Sequence, residues 1–188
     1  MRIKTYQVYE FKELSREAKQ KAIDLYYETE DYPFLSEDLT EEIHQLDTLG
    51  IFSDIKISYS LSNCQGDGLS FSASIDFLKF LNNRGLRLDE IDLLSNAVYK
   101  FQSRGNNNHY CYASKSDITY EENESHKDEV WAIIDKLKEE ITDYYLDICR
   151  KVEKQGYSIL EYRMTEAEFQ ECCESNGYEF LENGKLDY

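Results

Sequence analysis

The chain has 188 residues, with 38 Asp and Glu against 21 Lys and Arg, and its formal charge is -17. A surface this acidic repels nucleic acid and anionic membranes, which excludes direct binding to either as the expected function. The hydrophobic fraction of 41% and the aromatic fraction of 14% exclude a disordered acidic tail. They predict a single folded domain over residues 1–188.

The N-terminal quarter predicts one strand and two helices. Alternating apolar residues over 3–11 indicate an opening strand. The apolar spacing over 16–28 indicates a helix capped by Ser15. Residues 37–49 predict a second helix, capped by Ser36, with apolar residues inward and carboxylates outward.

The middle of the chain predicts an antiparallel hairpin followed by helical segments. Residues 55–61 and 69–75 alternate between apolar and polar side chains, and a turn over 63–68 joins them. Residues 77–81 and 86–101 then predict two helical segments.

The C-terminal half predicts a strand and two helices. Alternation over 109–121 indicates the strand, and an apolar stripe from Val130 to Val152, which includes Tyr144, indicates one long helix. Thr165 fits the cap of a last helix. The predicted fold class is α+β, a small antiparallel sheet packed against several helices, including one long helix near the C-terminal third.

The cysteines and the N-terminus bear on the compartment. The chain has five cysteines, an odd number, without C-x-x-C spacing, which favours reduced thiols over disulfides. The N-terminus lacks the apolar run of a secretory signal, and no segment approaches the length of a membrane span. These features predict a cytoplasmic protein without a membrane partner.

No residue pattern predicts a catalytic or metal site. Asp67 stands between two glycines, which favours a turn because the regularly spaced oxygen ligands of a calcium loop are missing. Cys64, Asp67 and His109 offer a nucleophile, an orienting group and a base, but thiol activation needs an electropositive setting. The His and Cys spacing does not fit zinc. We expect no catalytic residue, no metal and no cofactor.

Carboxylates cluster along the chain. Residues 22–55 hold ten of them and no Lys or Arg, and acidic blocks follow over 121–147 and 161–187. Such runs are typical of solvated helix faces, but carboxylate rows also imitate the nucleic-acid backbone and compete for a basic groove. Tyrosines are good interface anchors beside them. The predicted partner-binding residues are Tyr27, Glu28, Glu30, Asp31, Tyr32, Glu37, Asp38, Glu41, Glu42, Asp67, Glu121 and Glu122.

Three motifs span nearly the full chain. They are the opening Thr5-Tyr-x-Val-Tyr-x-Phe-x-Glu-Leu-Ser, the hairpin Ser62-x-x-Gln-Gly-Asp-Gly-Leu-Ser-Phe and the tail Gly177-Tyr-Glu-Phe-Leu-Glu-Asn-Gly. Together they resemble a family of small acidic proteins of phages, prophages and mobile elements, whose members are often labelled antitoxin-like or hypothetical phage protein. The resemblance implies the cytoplasm of a host bacterium, where small acidic phage proteins often inhibit host defence nucleases.

Charge and resemblance together predict a function without catalysis. The first hypothesis is a phage-derived inhibitor of a host defence nuclease, an anti-CRISPR protein, that binds the basic nucleic-acid groove of a CRISPR effector and blocks DNA binding or cleavage. The alternative is an antitoxin or regulatory partner that neutralises a basic toxin protein.

Overall fold

The structure, a computed structural model, describes residues 6–29, 32–62, 64–105, 113–123 and 128–187. Contacts between residues divide the chain into two compact units. Met1–Pro33 and Tyr157–Tyr188 form the first unit, and Phe34–Gly156 forms the second.

The described residues form helices and antiparallel strands, which confirms the α+β prediction. In chain order they are β1 (Tyr9–Glu10), a 3-10 turn (Phe11–Glu13), α1 (Arg16–Thr29), α2 (Leu35–Leu46), β2 (Phe52–Ser60), β3 (Gly68–Ile75), α3 (Phe77–Asn83), α4 (Leu88–Ala97), β4 (Val98–Arg104), a 3-10 turn (Ala113–Lys115), β5 (Asp117–Glu122), α5 (Asp128–Arg163), α6 (Glu166–Asn176) and β6 (Glu179–Phe180).

The first unit has an aromatic core beneath α1, α6 and a short strand pair. Strands β1 and β6 pair antiparallel, with Tyr9 opposite Phe180. The rings of Phe11 and Phe169 meet edge to face, with 4.9 Å between their centroids. The buried residues of this core are Phe11, Leu14, Ala18, Ala22, Ile23, Phe169, Cys173 and Phe180.

The second unit is built on an antiparallel sheet whose described strands follow the order β2-β3-β4-β5. The β2–β3 hairpin pairs Tyr59 with Leu69, and β4 joins β3 through Ile75 and Phe101. Strand β3 is buried along most of its length because it lies inside the sheet. Helix α5 supplies a buried stripe of Val130, Ile134, Leu137, Ile141, Tyr145, Ile148, Cys149 and Val152.

Tyr145 joins α5 to β3 at Phe71, which precedes the β3 residues that pair with β4. Its hydroxyl donates to the Phe71 carbonyl at 2.8 Å and accepts from the Phe71 amide at 2.9 Å. Burial raises the pKa of the Tyr145 hydroxyl above its usual range. A tyrosine side chain therefore takes the place of a neighbouring strand at this point of β3.

Helix α2 is held close to α5 by a glycine. A Cβ atom at Gly156 would lie 2.5 Å from Leu61 Cδ1 and 3.1 Å from Leu39 Cδ2. Real Cβ atoms do not approach another atom as closely as the Leu61 distance, and the Leu39 distance is tighter than most Cβ contacts. The missing side chain of Gly156 therefore gives Leu61 and Leu39 of α2 room to pack against α5. Because the inner face of α2 is packed in this way, the outer face of the helix has a fixed position.

Several predicted elements are confirmed. The β2–β3 hairpin and the long helix α5 are present. Ser15 Oγ accepts a hydrogen bond from the Ala18 amide at 3.2 Å at the start of α1. Thr165 Oγ1 accepts from the Glu168 amide at 3.4 Å at the start of α6, and Gly177 ends that helix in the left-handed conformation.

The predicted cap and end of the second helix are wrong. Ser36 lies inside α2, and the helix is preceded by Phe34, whose side chain makes no capping bond. The helix ends at Leu46, before the predicted end, because the Asp47 carboxylate accepts a hydrogen bond from the Phe52 amide at 2.8 Å and directs the chain into β2.

The predicted helix over 86–101 is wrong in its last four residues, 98–101, which belong to β4. Val98 and Phe101 are both buried in that strand, and a short apolar run has the same appearance in a buried strand and in a helix. In the stripe of α5, Tyr145 is buried and Tyr144 only half-buried, the reverse of the prediction.

Two predicted strands are shorter in the described residues. The opening strand is reduced to β1, since Phe11 begins a 3-10 turn, and its residues before Tyr6 lie outside the described part. The strand predicted over 109–121 is represented by β5, and residues 109–112 lie outside the described part. No described helix combines the length and the apolar character that crossing a bilayer requires.

Candidate partner-binding surface

Helix α2 holds four of the predicted partner-binding carboxylates. Its residues Leu35, Leu39 and Ile43 recur every four positions and are buried, which fixes one face of the helix against the second unit. The helix contains no Lys or Arg. Its outward carboxylates are Glu37, Asp38, Glu41 and Glu42.

The outward carboxylates differ in exposure and setting. Glu37 and Glu41 are exposed, and Asp38 and Glu42 are half-buried. Glu37 and Asp38 lie in the first turn, where the helix dipole favours negative charge. Glu41 and Glu42 lie one turn later and stand at i,i+4 from them, a spacing at which like charges repel. We call these four residues the α2 acidic face.

The charge density of the α2 acidic face is close to that of nucleic acid. Its four carboxylates fall within six residues, which is about 7.5 Å of helix axis. Duplex DNA carries one phosphate charge per roughly 1.7 Å of axis. Residues 34–156 as a whole hold 23 Asp and Glu against 13 Lys and Arg, a formal charge of -10. The face thus belongs to a unit that attracts basic surfaces.

A carboxylate just past α2 has a structural role instead. Asp47 is only 7% exposed, and its oxygens accept from the Phe52 amide at 2.8 Å and from the Tyr144 hydroxyl at 3.0 Å. The Tyr144 hydroxyl in turn accepts from the Leu49 amide at 3.2 Å. Burial raises the pKa of the Tyr144 hydroxyl, which donates to Asp47.

Two predicted residues lie on β5. Glu121 forms an ion pair with Lys100 on the neighbouring strand, with 3.2 Å between Lys100 Nζ and Glu121 Oε1. Glu122 is exposed and lies opposite Val98. Since the Lys100 charge offsets that of Glu121, this edge of the sheet presents less negative charge than α2 does.

Asp67 organises the turn of the β2–β3 hairpin. Its carboxylate accepts from Ser60 Oγ at 2.9 Å, from the Cys64 amide at 3.0 Å and from Cys64 Sγ at 3.2 Å. Gly66 has a φ of 119°, which a residue with a side chain rarely adopts. These contacts favour the turn interpretation over ligand approach.

The contact between Cys64 and Asp67 opposes nucleophilic chemistry. The hydrogen bond that the thiol donates to Asp67 raises the pKa of Cys64, with burial and the Asp67 charge adding to the effect. A reactive cysteine needs the opposite shift. His109, the base of the sequence hypothesis, lies outside the described residues.

Two predicted residues of the first unit, Tyr27 and Tyr32, contact Arg163, which the sequence did not indicate. The Tyr27 hydroxyl donates to the Arg163 carbonyl at 2.5 Å, and the Arg163 guanidinium lies 4.2 Å from the centroid of the Tyr32 ring. Glu28 is exposed on α1. Both tyrosines thus already have an internal contact. Glu30 and Asp31 lie outside the described residues.

Within the described ranges, no group of three or more His, Cys, Asp and Glu side chains is arranged to hold a metal ion. The chain matches no protein-family model, no curated protein and no solved structure. The family resemblance of the three motifs stays a prediction.

The ten predicted residues that the structure describes have different environments. Within α2, four lie together on one turn and a half of helix. Asp67 is engaged in a turn, Glu121 in an ion pair, and Tyr27 and Tyr32 in contacts with Arg163. The α2 acidic face is the group whose members combine proximity, outward placement and a fixed support.

Proposed function

We propose that the protein is a non-enzymatic inhibitor, encoded by a phage or prophage, of a host defence nuclease, with a CRISPR effector as the first candidate. It binds the basic groove in which the nuclease holds nucleic acid and blocks DNA binding or cleavage. The α2 acidic face makes the central contact with Lys and Arg of that groove.

The observation that carries the proposal is the α2 acidic face itself. Four carboxylates stand on one helix without a Lys or Arg among them, and buried Leu39 and Ile43 fix their support. A folded support matters because charges on a rigid element bind without the entropy cost of ordering a flexible tail. The repulsion between these carboxylates is relieved when a basic surface neutralises them.

The experiment measures DNA cleavage by purified defence nucleases, including a guide-loaded Cas9-type effector, at increasing concentrations of the protein. A competitor for the groove inhibits when it is added before the DNA and fails when the nuclease already holds DNA. Inhibition that is independent of the order of addition would contradict the groove mechanism. No inhibition of any CRISPR effector or restriction enzyme tested would overturn the proposal.

Two matched variants locate the contact. The first removes the α2 acidic face through Glu37→Gln, Asp38→Asn, Glu41→Gln and Glu42→Gln. The second removes the same number of exposed carboxylates from the first unit through Glu161→Gln, Glu171→Gln, Glu174→Gln and Glu182→Gln. Because both variants have the same net charge, the proposal expects the first to lose inhibition and the second to keep it. Equal loss in both would assign the effect to net charge alone.

A further inference from the structure

An apolar groove in the second unit lies between α4 and α5 and belongs to no site described above. Its volume is about 390 Å³. Its aliphatic lining consists of Leu86, Leu93, Leu94, Ala132, Ile133 and Leu137. Leu94 and Leu137 are buried, whereas Leu93 is 46% exposed and Ile133 is 47% exposed. Two large aliphatic side chains, one from each helix, are therefore about half exposed to solvent in the same groove.

Helical spacing explains why these side chains meet. Ile133, Lys136, Leu137 and Glu140 stand at i, i+3, i+4 and i+7, which is one face of α5. Single exposed apolar side chains are ordinary on protein surfaces, but a shared groove is typical of a docking site for an amphipathic helix. Arg84 and Glu140 pair with each other and leave the aliphatic surface accessible.

The charge around the groove selects its occupant. The charged side chains that line the groove balance one another, with Arg84 and Lys136 against Glu90 and Glu140. The negative excess beside it comes from two exposed carboxylates outside the lining, Asp92 next to Leu93 on α4 and Glu129 one turn before Ile133 on α5. With the formal charge of -10 on residues 34–156, a second copy of the chain is repelled and a basic segment is attracted.

We propose that this groove docks an amphipathic helical segment of a basic partner protein, with aliphatic side chains seated against Leu93 and Ile133 and flanking Lys or Arg near Asp92 and Glu129. The inference rests on the proposed function for the basic character of the partner. It adds a second, apolar contact to the electrostatic one.

The groove lies on α5 one turn before a residue that contacts the C-terminal end of α2. The groove ends at Glu140, and Tyr144 follows one turn later on the same face of α5, about 5.4 Å along its axis. The Tyr144 hydroxyl lies 3.4 Å from the carbonyl oxygen of Leu46, the last residue of α2. The groove therefore neighbours the C-terminal end of α2, and the α2 acidic face lies further back along that helix.

The test uses two synthetic helical peptides of equal charge. One carries Leu at i, i+3, i+4 and i+7 with Lys elsewhere, and the control carries Ala in place of each Leu. We expect the full-length protein to bind the Leu peptide about tenfold more tightly than the Ala peptide, as the burial of two anchoring side chains produces. Equal affinity for the two peptides would overturn the proposal, because charge alone would then explain binding.

Variants assign the preference to the groove. Leu93→Ser with Ile133→Ser should abolish the preference for the Leu peptide, and Leu78→Ser, at a 50% exposed leucine on α3 outside the groove, should keep it. Methyl resonances of Leu93 and Ile133 in the unmodified protein should shift with the Leu peptide, which tests the site without any variant. A preference that survives the double change, or methyl resonances that do not move, would overturn the proposal.

Two further outcomes separate this inference from its alternatives. A dimer of the protein that the double change dissociates would assign the groove to a second copy and overturn the proposal. Because the two peptides have equal charge, their difference in affinity does not depend on the α2 acidic face. If the nuclease assay showed no inhibition, the peptide result would still stand. Equal affinity for the two peptides would likewise leave the result of the nuclease assay unaffected.

Discussion

The two ends of helix α2 carry the same kind of side chain in opposite environments. On its outer face, Glu37 and Glu41 are exposed, with other carboxylates beside them. Just past its last residue, Asp47 is 7% exposed and accepts hydrogen bonds from the Phe52 amide and the Tyr144 hydroxyl. The same acidic run therefore contains Asp47, which stabilises the fold, and carboxylates such as Glu37 and Glu41, which face outward.

This difference shows why the number of carboxylates is a poor guide to function. A buried carboxylate stabilises the fold only because its oxygens have partners, and its removal leaves those partners unsatisfied. The outward carboxylate of Glu41 contributes little to the fold, and repulsion from Glu37 at i,i+4 makes it slightly unfavourable. Substitutions at the two ends of α2 should therefore act on different properties, namely stability at Asp47 and partner affinity at Glu41.

The largest expected effect is at Asp47. Asp47→Ala should lower the free energy of unfolding by about 2–3 kcal/mol, because the buried Phe52 amide and the Tyr144 hydroxyl lose their acceptor. Urea unfolding measures this change. Asp47→Asn should recover part of the loss, since its amide oxygen still accepts one bond. A change within experimental error for Asp47→Ala would show that the contacts at this end of α2 do not support the fold.

A smaller loss is expected at Asp67. Asp67→Ala removes the acceptor for Ser60 Oγ and for the Cys64 amide, and it should cost about 1 kcal/mol of unfolding free energy. The turn is partly in water, so the exposed donors rebind solvent and the cost stays below that at Asp47. Urea unfolding of both variants under one condition gives the comparison, and a larger loss at Asp67 than at Asp47 would reverse it.

The α2 acidic face should respond in the opposite direction. Glu41→Gln and Glu42→Gln each remove a like-charge pair at i,i+4, and each should raise the free energy of unfolding by about 0.2–0.5 kcal/mol. The same variants should weaken inhibition of the nuclease. Thermal melts and the cleavage assay on the same preparations check both parts. A variant that loses both stability and inhibition would indicate that these carboxylates serve the fold.

Element boundaries were predictable where the decisive contact is local in sequence. Ser15 and Thr165 cap helices through amides three residues away, and their side chains identify them. The end of α2 was not predictable in the same way, because Asp47 contacts Tyr144, which lies 97 residues further along the chain. The first four residues of β4 fall inside a predicted helix, because packing against β3, which the local pattern does not reveal, decides their conformation.

The candidate site followed the same rule. The outward placement of Glu37 and Glu41 could be predicted, since one helix with a buried stripe determines it. The contacts of Tyr27 and Tyr32 with Arg163 could not, because no local pattern brings those residues together. The groove at Leu93 and Ile133 also depends on two helices that are distant in sequence.

The smallest expected effect concerns Cys64. The hydrogen bond to Asp67 raises the pKa of the Cys64 thiol. The reactive thiolate therefore forms only at higher pH. Alkylation of Cys64 by iodoacetamide, followed by mass spectrometry across a pH series, should reach its midpoint at lower pH in Asp67→Ala. An unchanged midpoint would show that the contact does not control the thiol.

The central claim is that the α2 acidic face binds a basic groove by charge. The most direct test is the affinity of the protein for an inhibited nuclease between about 50 and 200 mM salt, since contacts between opposite charges weaken as ions screen them. The account predicts a steep fall in affinity with salt for the unmodified protein and a shallower fall when the four carboxylates of α2 are replaced. An affinity that does not change with salt would contradict it.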